Sequence, residues 1–239
     1  MRKVILALIL CFSAASSAAA ANFSNWAVMV IAGDNHSHSG GPSPVFDNAR
    51  RDLVRAFSQI GFNPDNIVQF SVTPDKDALP VDPQSIATNL WDLTNRAPGG
   101  CLIYYTSHGT PKGIIMDNGQ MGPDNWSAIV NNACGKKPAV IVMSACFSGQ
   151  FVPVLAGGNR MVMTAAREDR TSFGCGDDDH YTFFDGCFLQ AMPQSGSFRD
   201  VALKTQECVA QLEAQMKVDY PSEPQIAYGK EVGNTLTWR

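Results

Sequence analysis

The stretch Leu102-Ile103-Tyr104-Tyr105-Thr106-Ser107-His108-Gly109 decides how this chain folds. Leu102 to Thr106 is a run of aliphatic, aromatic and β-branched residues without polar alternation, the pattern of a strand covered on both faces. It leads directly into a histidine and a glycine. A second run, Ala139-Val140-Ile141-Val142-Met143-Ser144-Ala145, has the same character and leads into Cys146. Each strand thus delivers one reactive side chain at its carboxyl end. A histidine and a cysteine so placed can form a base-assisted thiol nucleophile.

Outward from these two runs, Trp26 to Ala32 and Met161 to Ala165 read as further buried strands, and Ile67 to Val72 as a weaker fifth. Helical patterns lie between them. Phe46, Ala49, Leu53, Phe57 and Ile60 recur at steps of three or four, and Gly61 ends that segment. Asp82-Pro83 is a helix start, with Ile86, Leu90 and Leu93 on one face behind it. Residues 124 to 133 form a short helix, and Val201, Thr205, Cys208, Leu212 and Met216 stripe a longer one. This alternation predicts a three-layer α/β sandwich with a mostly parallel central sheet flanked by helices. No repeat, low-complexity block or linker divides it, so residues 22–239 read as a single domain. In open parallel sheets, sites form beyond the carboxyl ends of the strands. His108, Cys146 and the loop from Arg167 to Gly176 all follow such ends.

Residues 1–21 read as a secretory signal peptide. Arg2 and Lys3 precede an apolar run from Val4 to Phe12, and Ser13 to Ala21 is nearly all Ala and Ser with Ala-x-Ala cleavage patterns. The apolar run is too short for a spanning helix, and Leu10 before Cys11 does not make a lipoprotein signal. No later stretch is long enough to cross a bilayer. An exported protein, periplasmic or secreted, is expected, with no membrane association after cleavage. Loss of the leader removes two of 18 basic residues and none of 22 acidic ones, leaving a net charge of −6. Such a surface offers no electrostatic ground for a nucleic-acid partner.

Six cysteines follow the leader: Cys101, Cys134, Cys146, Cys175, Cys187 and Cys208. Export favours disulfides. If Cys146 is a free nucleophile, parity leaves at least one other unpaired. Cys101 within a strand and Cys208 on a helix face suit a buried thiol; spacing alone does not fix the connectivity.

The chemistry is that of a thiolate, generated when a neighbouring imidazole takes the thiol proton and later delivered back to a leaving amine. The tetrahedral intermediate needs donors for its oxyanion. The backbone N–H groups of Gly109 and of Cys146 are the candidates, and Ser148-Gly149 lets the chain turn away behind the nucleophile.

Four blocks resemble the legumain-type asparaginyl peptidases of the caspase-like group. They are Tyr104-Tyr105-Thr106-Ser107-His108-Gly109; Ser144-Ala145-Cys146-Phe147-Ser148-Gly149; Thr164-Ala165-Ala166 with Thr171-Ser172-Phe173-Gly174-Cys175; and Gly61-Phe62-Asn63-Pro64-Asp65-Asn66-Ile67-Val68. The resemblance implies a caspase-like fold, His108 as base, Cys146 as nucleophile, and a cleft lined by the segment around Ser172. Ser144 stands where the family carries an acid that shapes the asparagine pocket. Val45 and Phe46 stand where it carries an Arg-His pair, with Arg50 and Arg51 one turn later. Asparagine specificity therefore does not carry over. Asp179 falls near a family aspartate of the pocket, which implies a basic or amide side chain before the cut rather than an acidic one.

Other signals are weaker. His36-Ser37-His38 sits among Gly, Ser, Pro and Asn and reads as a polar loop bordering the cleft rather than a metal site. Asp177-Asp178-Asp179 lacks the alternate spacing of a calcium loop. Gly-x-Ser-x-Gly and the nucleotide-binding glycine fingerprints are absent. Trp91 and Trp126 read as helix packing. The expectation is an exported cysteine endopeptidase acting on peptides or proteins without metal or cofactor. The alternatives are a peptide ligase using the same pair, or a non-catalytic caspase-like binding domain.

Overall fold

The computed structural model describes residues 21–232 and 236–238; the predicted signal peptide, apart from Ala21, lies outside them. The first half of the chain forms β1 (Trp26–Ala32), α1 (Val45–Gln59), β2 (Ile67–Ser71), β3 (Leu79–Pro80), α2 (Pro83–Arg96), β4 (Gly100–Thr106), β5 (Gly109–Thr110), β6 (Gly113–Met116) and β7 (Gly119–Met121). The second half forms α3 (Pro123–Cys134), β8 (Ala139–Ser144), α4 (Val152–Leu155), β9 (Arg160–Thr164), α5 (Phe183–Ala191), α6 (Phe198–Gln215) and β10 (Gln225–Tyr228). Start signals in the sequence explain several helix ends. Asp82 accepts from Ser85 N–H at the head of α2, Thr182 from Asp185 N–H at the head of α5, and Ser197 from Asp200 N–H at the head of α6. Each such cap contributes about 1 kcal/mol.

The main sheet has the order β10-β9-β8-β4-β1-β2-β3, parallel throughout except for the antiparallel edge strand β10. Every residue of β1, β4 and β8 is buried, which is why these runs show no polar alternation. Their side chains alternate between two cores. Val28, Val30, Leu102, Tyr104, Val140 and Val142 pack beneath α1, α5 and α6. Met29, Ile31, Ile103, Tyr105, Ile141 and Met143 pack beneath α2, α3 and α4. The result is a three-layer α/β sandwich, as the strand and helix pattern predicts. From β1 the chain lays β2 on one side and β4 on the other, so the order reverses between β1 and β4. A crevice at the carboxyl ends of these strands is where α/β sheets place their sites.

Several features escape the sequence reading. A three-stranded antiparallel sheet, β5-β6-β7, follows His108 directly. Helix α5 and strand β10 also carry no clear periodic signal. Trp126 is packed against Tyr105 with ring centroids 5.3 Å apart, but Trp91 is 52% exposed and is not a packing residue. The cysteines pair as Cys101–Cys134, tying β4 to the end of α3, and Cys187–Cys208, tying α5 to α6. The second free thiol is thus Cys175, not Cys101 or Cys208. Strand and helix positions place the latter two next to partners that sequence separation hides.

Candidate active site

His108 is the second residue past β4. Its Nε2 lies 3.0 Å from the carbonyl oxygen of His36, in the loop after β1. A carbonyl only accepts, so Nε2 carries the proton and Nδ1 of the neutral ring is left with the lone pair. The edge of Phe46 meets the imidazole at a centroid distance of 5.1 Å and 80° between planes. His36 is itself fixed: its N–H and Nδ1 reach Asp34 Oδ1 at 3.1 Å and 2.7 Å, and Asp34 is buried. The His108 ring is therefore oriented by a chain of contacts running back to the end of β1.

Cys146 follows β8 by two residues, on the strand next to that of His108. Ser172 N–H donates to its Sγ at 3.2 Å, and Ser172 Oγ lies 3.5 Å away. Behind it the chain turns sharply. Phe147 adopts φ 57°, a left-handed conformation that costs a side-chain-bearing residue about 1–2 kcal/mol, and its N–H donates to Arg170 O at 2.7 Å. The turn carries Ser148–Phe151 away as a short 3-10 helix. Gly109 closes the gap between the two strand ends. A Cβ there would overlap the carbonyl oxygen of Cys146, so only glycine lets these backbones approach.

His38, His108, Gly109, Cys146, Phe147 and residues 171–176 line one cleft of about 450 Å³. Another cavity of about 300 Å³ lies beside the Cys187–Cys208 disulfide, but its lining offers no free nucleophile. Cys175 is a second free thiol in this cleft. Burial pushes it up to about 11, and the negative fields of Cys146, Asp179 and Asp34 add to that. The cleft wall is braced from both sides. Asp177 accepts from Ser39 at 2.7 Å and from Ser37, His38 N–H donates to Cys175 O at 2.7 Å, and Asn48 Nδ2 donates to His180 O at 3.2 Å.

The structure thus brings His108, Gly109, Cys146 and Ser172 together. It sets the other two sequence candidates apart. Ser144 is fully buried and its hydroxyl bonds Asp185, so it does not line the cleft. Asp179 accepts from Gly176 N–H at 2.7 Å and braces the turn behind Cys175. Arg50, in α1, is buried and bonded to Asp47 at 2.7 Å, Asp75 at 2.9 Å and Gln69 of β2, and so does not supply a pocket cation. Asp34 and the His36 carbonyl are the contributors that sequence reasoning missed, and Cys175, within the segment expected to line the cleft, was not singled out as a free thiol. Asp34 and Cys175 follow strand ends or loops near the expected site; a backbone carbonyl leaves no sequence signal at all. Among the described residues no cluster of His, Cys, Asp and Glu is arranged to hold a metal ion.

Residues 82–217 match the Peptidase C13 family. The segment includes His108 and Cys146. No curated protein matches the chain. Among solved structures, the chain is similar to caspase-1 from Spodoptera frugiperda, with a TM-score of 0.63 over 87% of this chain and 88% of that one at 12% identity. At that identity the likeness speaks for the fold alone, and it agrees with the layer order and sheet described above.

Proposed function

Since the chain belongs to the Peptidase C13 family and is a cysteine-type endopeptidase, we propose that it cleaves peptide bonds through an acyl-enzyme on Cys146 with His108 as general base and acid. The observation that carries the reading is that both side chains end adjacent parallel strands and line the same cleft. His108 takes the thiol proton at Nδ1 while its Nε2–H stays on His36 O. The sulfur attacks the scissile carbonyl carbon, and the oxyanion receives the N–H groups of Gly109 and Cys146. Collapse breaks the C–N bond, and the amine leaves with the proton from His108. Water then attacks the thioester, its proton passing to His108, and the acid product leaves as Cys146 is restored. A positioned base of this kind contributes about 10²–10⁴-fold in rate.

Peptide substrates would lie along the wall formed by residues 171–176, with Ser172 nearest the sulfur. The carboxylates behind that wall, Asp34 and Asp179, act on Cys175 and face no Arg or Lys among the lining residues. A basic or amide side chain before the cut suits this field better than an acidic one. We place the protein outside the cytoplasm, as a periplasmic or secreted enzyme. The two disulfides support this, because such bonds persist in oxidising compartments.

The test is iodoacetamide labelling of the mature protein without reductant, mapped by mass spectrometry, beside hydrolysis of fluorogenic peptides that differ only at the residue before the cut. Labelling of Cys146 that slows in His108→Ala, with hydrolysis lost in both single variants, is the expected result. An inert Cys146, or hydrolysis that survives Cys146→Ala, would sink the mechanism. A preference for Asp before the cut would sink the substrate class alone.

A further inference from the structure

The reaction described above leaves one buried carboxyl without a role. Asp185, in the first turn of α5, is 0% exposed. Tyr104 Oη donates to its Oδ1 at 2.7 Å and Thr106 Oγ1 to its Oδ2 at 2.6 Å. The Ser144 hydroxyl bonds the same carboxyl. Its own N–H donates to Thr182 Oγ1 at 3.0 Å. Tyr104, Thr106, Ser144 and Thr182 are all buried.

The positions of these partners are what matter. Thr106 stands two residues before His108, and Ser144 two residues before Cys146. They are partners in register on the last rung between β4 and β8. Past that rung Ser107 N–H still donates to Ser144 O at 3.1 Å, and the strands then part to present base and nucleophile. Thr182 ends the loop that forms the cleft wall, and Phe183 N–H beside it donates to Phe173 O at 2.9 Å. Helix α5 is fastened to α6 by the Cys187–Cys208 disulfide. The carboxyl thus touches the strands that lead to His108 and to Cys146, and the backbone N–H of the same residue bonds Thr182 at the foot of the wall.

We propose that Asp185 is a positioning residue for the peptidase reaction, its carboxyl fixing His108 relative to Cys146 through Thr106 and Ser144. The inference rests on the assignment of Cys146 and His108 made above. Only a carboxyl has the acceptor capacity for three hydroxyls. An asparagine offers one acceptor oxygen and an NH₂ that donates, so at least one hydroxyl must lose its acceptor or reverse. The general preference for an acid in the first turn of a helix is met equally by an exposed side chain. It does not call for partners from β4 and β8. Tyr104 is the titratable group that faces Asp185; burial first, then Asp185, pushes its hydroxyl well above the ordinary range, so it remains a donor.

The experiment compares Asp185→Asn, Thr106→Val and Ser144→Ala with the conservative Thr106→Ser. It reads kcat and KM on a fluorogenic peptide and the pH dependence of Cys146 alkylation by iodoacetamide. Misplacing reacting groups costs rate rather than affinity, so Asp185→Asn and Thr106→Val should lower kcat about 10- to 100-fold with KM within about twofold. Their alkylation profiles should move away from that of the unmodified protein, and Thr106→Ser should restore both readouts. Variants with lowered thermal stability but unchanged kcat and unchanged alkylation profile overturn the proposal, since a purely structural carboxyl would give that result. If Asp185→Asn does not fold, Thr106→Val decides the question, because it keeps the side-chain shape and removes one hydroxyl. An unmodified protein whose Cys146 is inert overturns the dyad assignment, and the positioning role with it.

Discussion

Cys146 and Cys175 are two free thiols lining one cleft, and they are prepared for different fates. Cys146 sits on a sharp turn behind a strand, receives an N–H from Ser172, and shares its cleft with a histidine whose tautomer is fixed by a carbonyl. Cys175 sits in the wall, packed against the small apolar cluster of Ala32, Val45 and Phe46, with carboxylates rather than a base around it. A sulfur becomes a nucleophile when its surroundings accept its proton and then support the charge left behind. The wall does neither for Cys175, whose thiol burial holds near 11. Proximity to the cleft is not enough; the position just past a strand end and the donors around it make the difference.

The comparison breaks most directly by deletion. Cys146→Ala should lower kcat/KM for peptide hydrolysis at least about 10³-fold, while Cys175→Ala should leave kcat within about threefold and shift KM if anything. Equal losses would mean that the two sulfurs act together. Removing the base comes next. His108→Ala should lower kcat/KM about 10²–10⁴-fold and slow alkylation of Cys146, with the Cys175 rate unmoved. A parallel slowing of both thiols would point to a collapsed cleft rather than a lost base.

A pH series sharpens the same contrast. Only the thiolate alkylates, so the Cys175 rate should climb about tenfold per pH unit through neutral and mildly alkaline pH, as the thiolate fraction of a group titrating near 11 requires. A Cys175 rate that levels off by pH 9, followed by mass spectrometry of quenched samples, would remove the basis of the comparison. The smallest expected effect on catalysis comes from the paired cysteines. Breaking Cys101–Cys134 or Cys187–Cys208 should lower unfolding free energy by about 3–4 kcal/mol each in the loop-closure account, for separations of 33 and 21 residues. Turnover by the protein that remains folded should change little, which denaturant midpoints and initial rates measured on one sample can check. A collapse of turnover without loss of stability would mean that the staples reach the site.

Legibility along the chain followed burial. Strands β1, β4, β8 and β9 announced themselves because both faces are covered, which leaves unbroken apolar runs. Helices α1, α2, α3 and α6 announced themselves because one face is covered, which leaves a stripe. Strand β10 and the small β5-β6-β7 sheet are only two to four residues per strand, so composition barely marks them. Trp91 was misread for a related reason: a helical position says which neighbours along the helix share its face, not whether another element covers that face.

His108 and Cys146 were readable as candidates because each is a rare side chain just past a readable strand. Ser144 and Asp179 were harder. A residue two before the nucleophile can face either core, and the sheet turns Ser144 toward Asp185. A residue in the cleft loop can line the wall or brace it, and the hydrogen bond to Gly176 makes Asp179 a brace.

The sequence by itself determined the main alternation of strands and helices, the placing of two strand ends at one edge of the sheet, and the candidacy of His108 and Cys146. These depend on local periodicity and on the chemistry of single side chains, both of which are written residue by residue. Tertiary structure alone decided which cysteines pair, that Cys175 stays a free thiol, that the His36 carbonyl orients His108, and that Asp185 gathers hydroxyls from both β4 and β8. Each of these joins residues distant along the chain, or uses a backbone atom that every residue possesses, so distances in the folded molecule set them and composition leaves no trace of them.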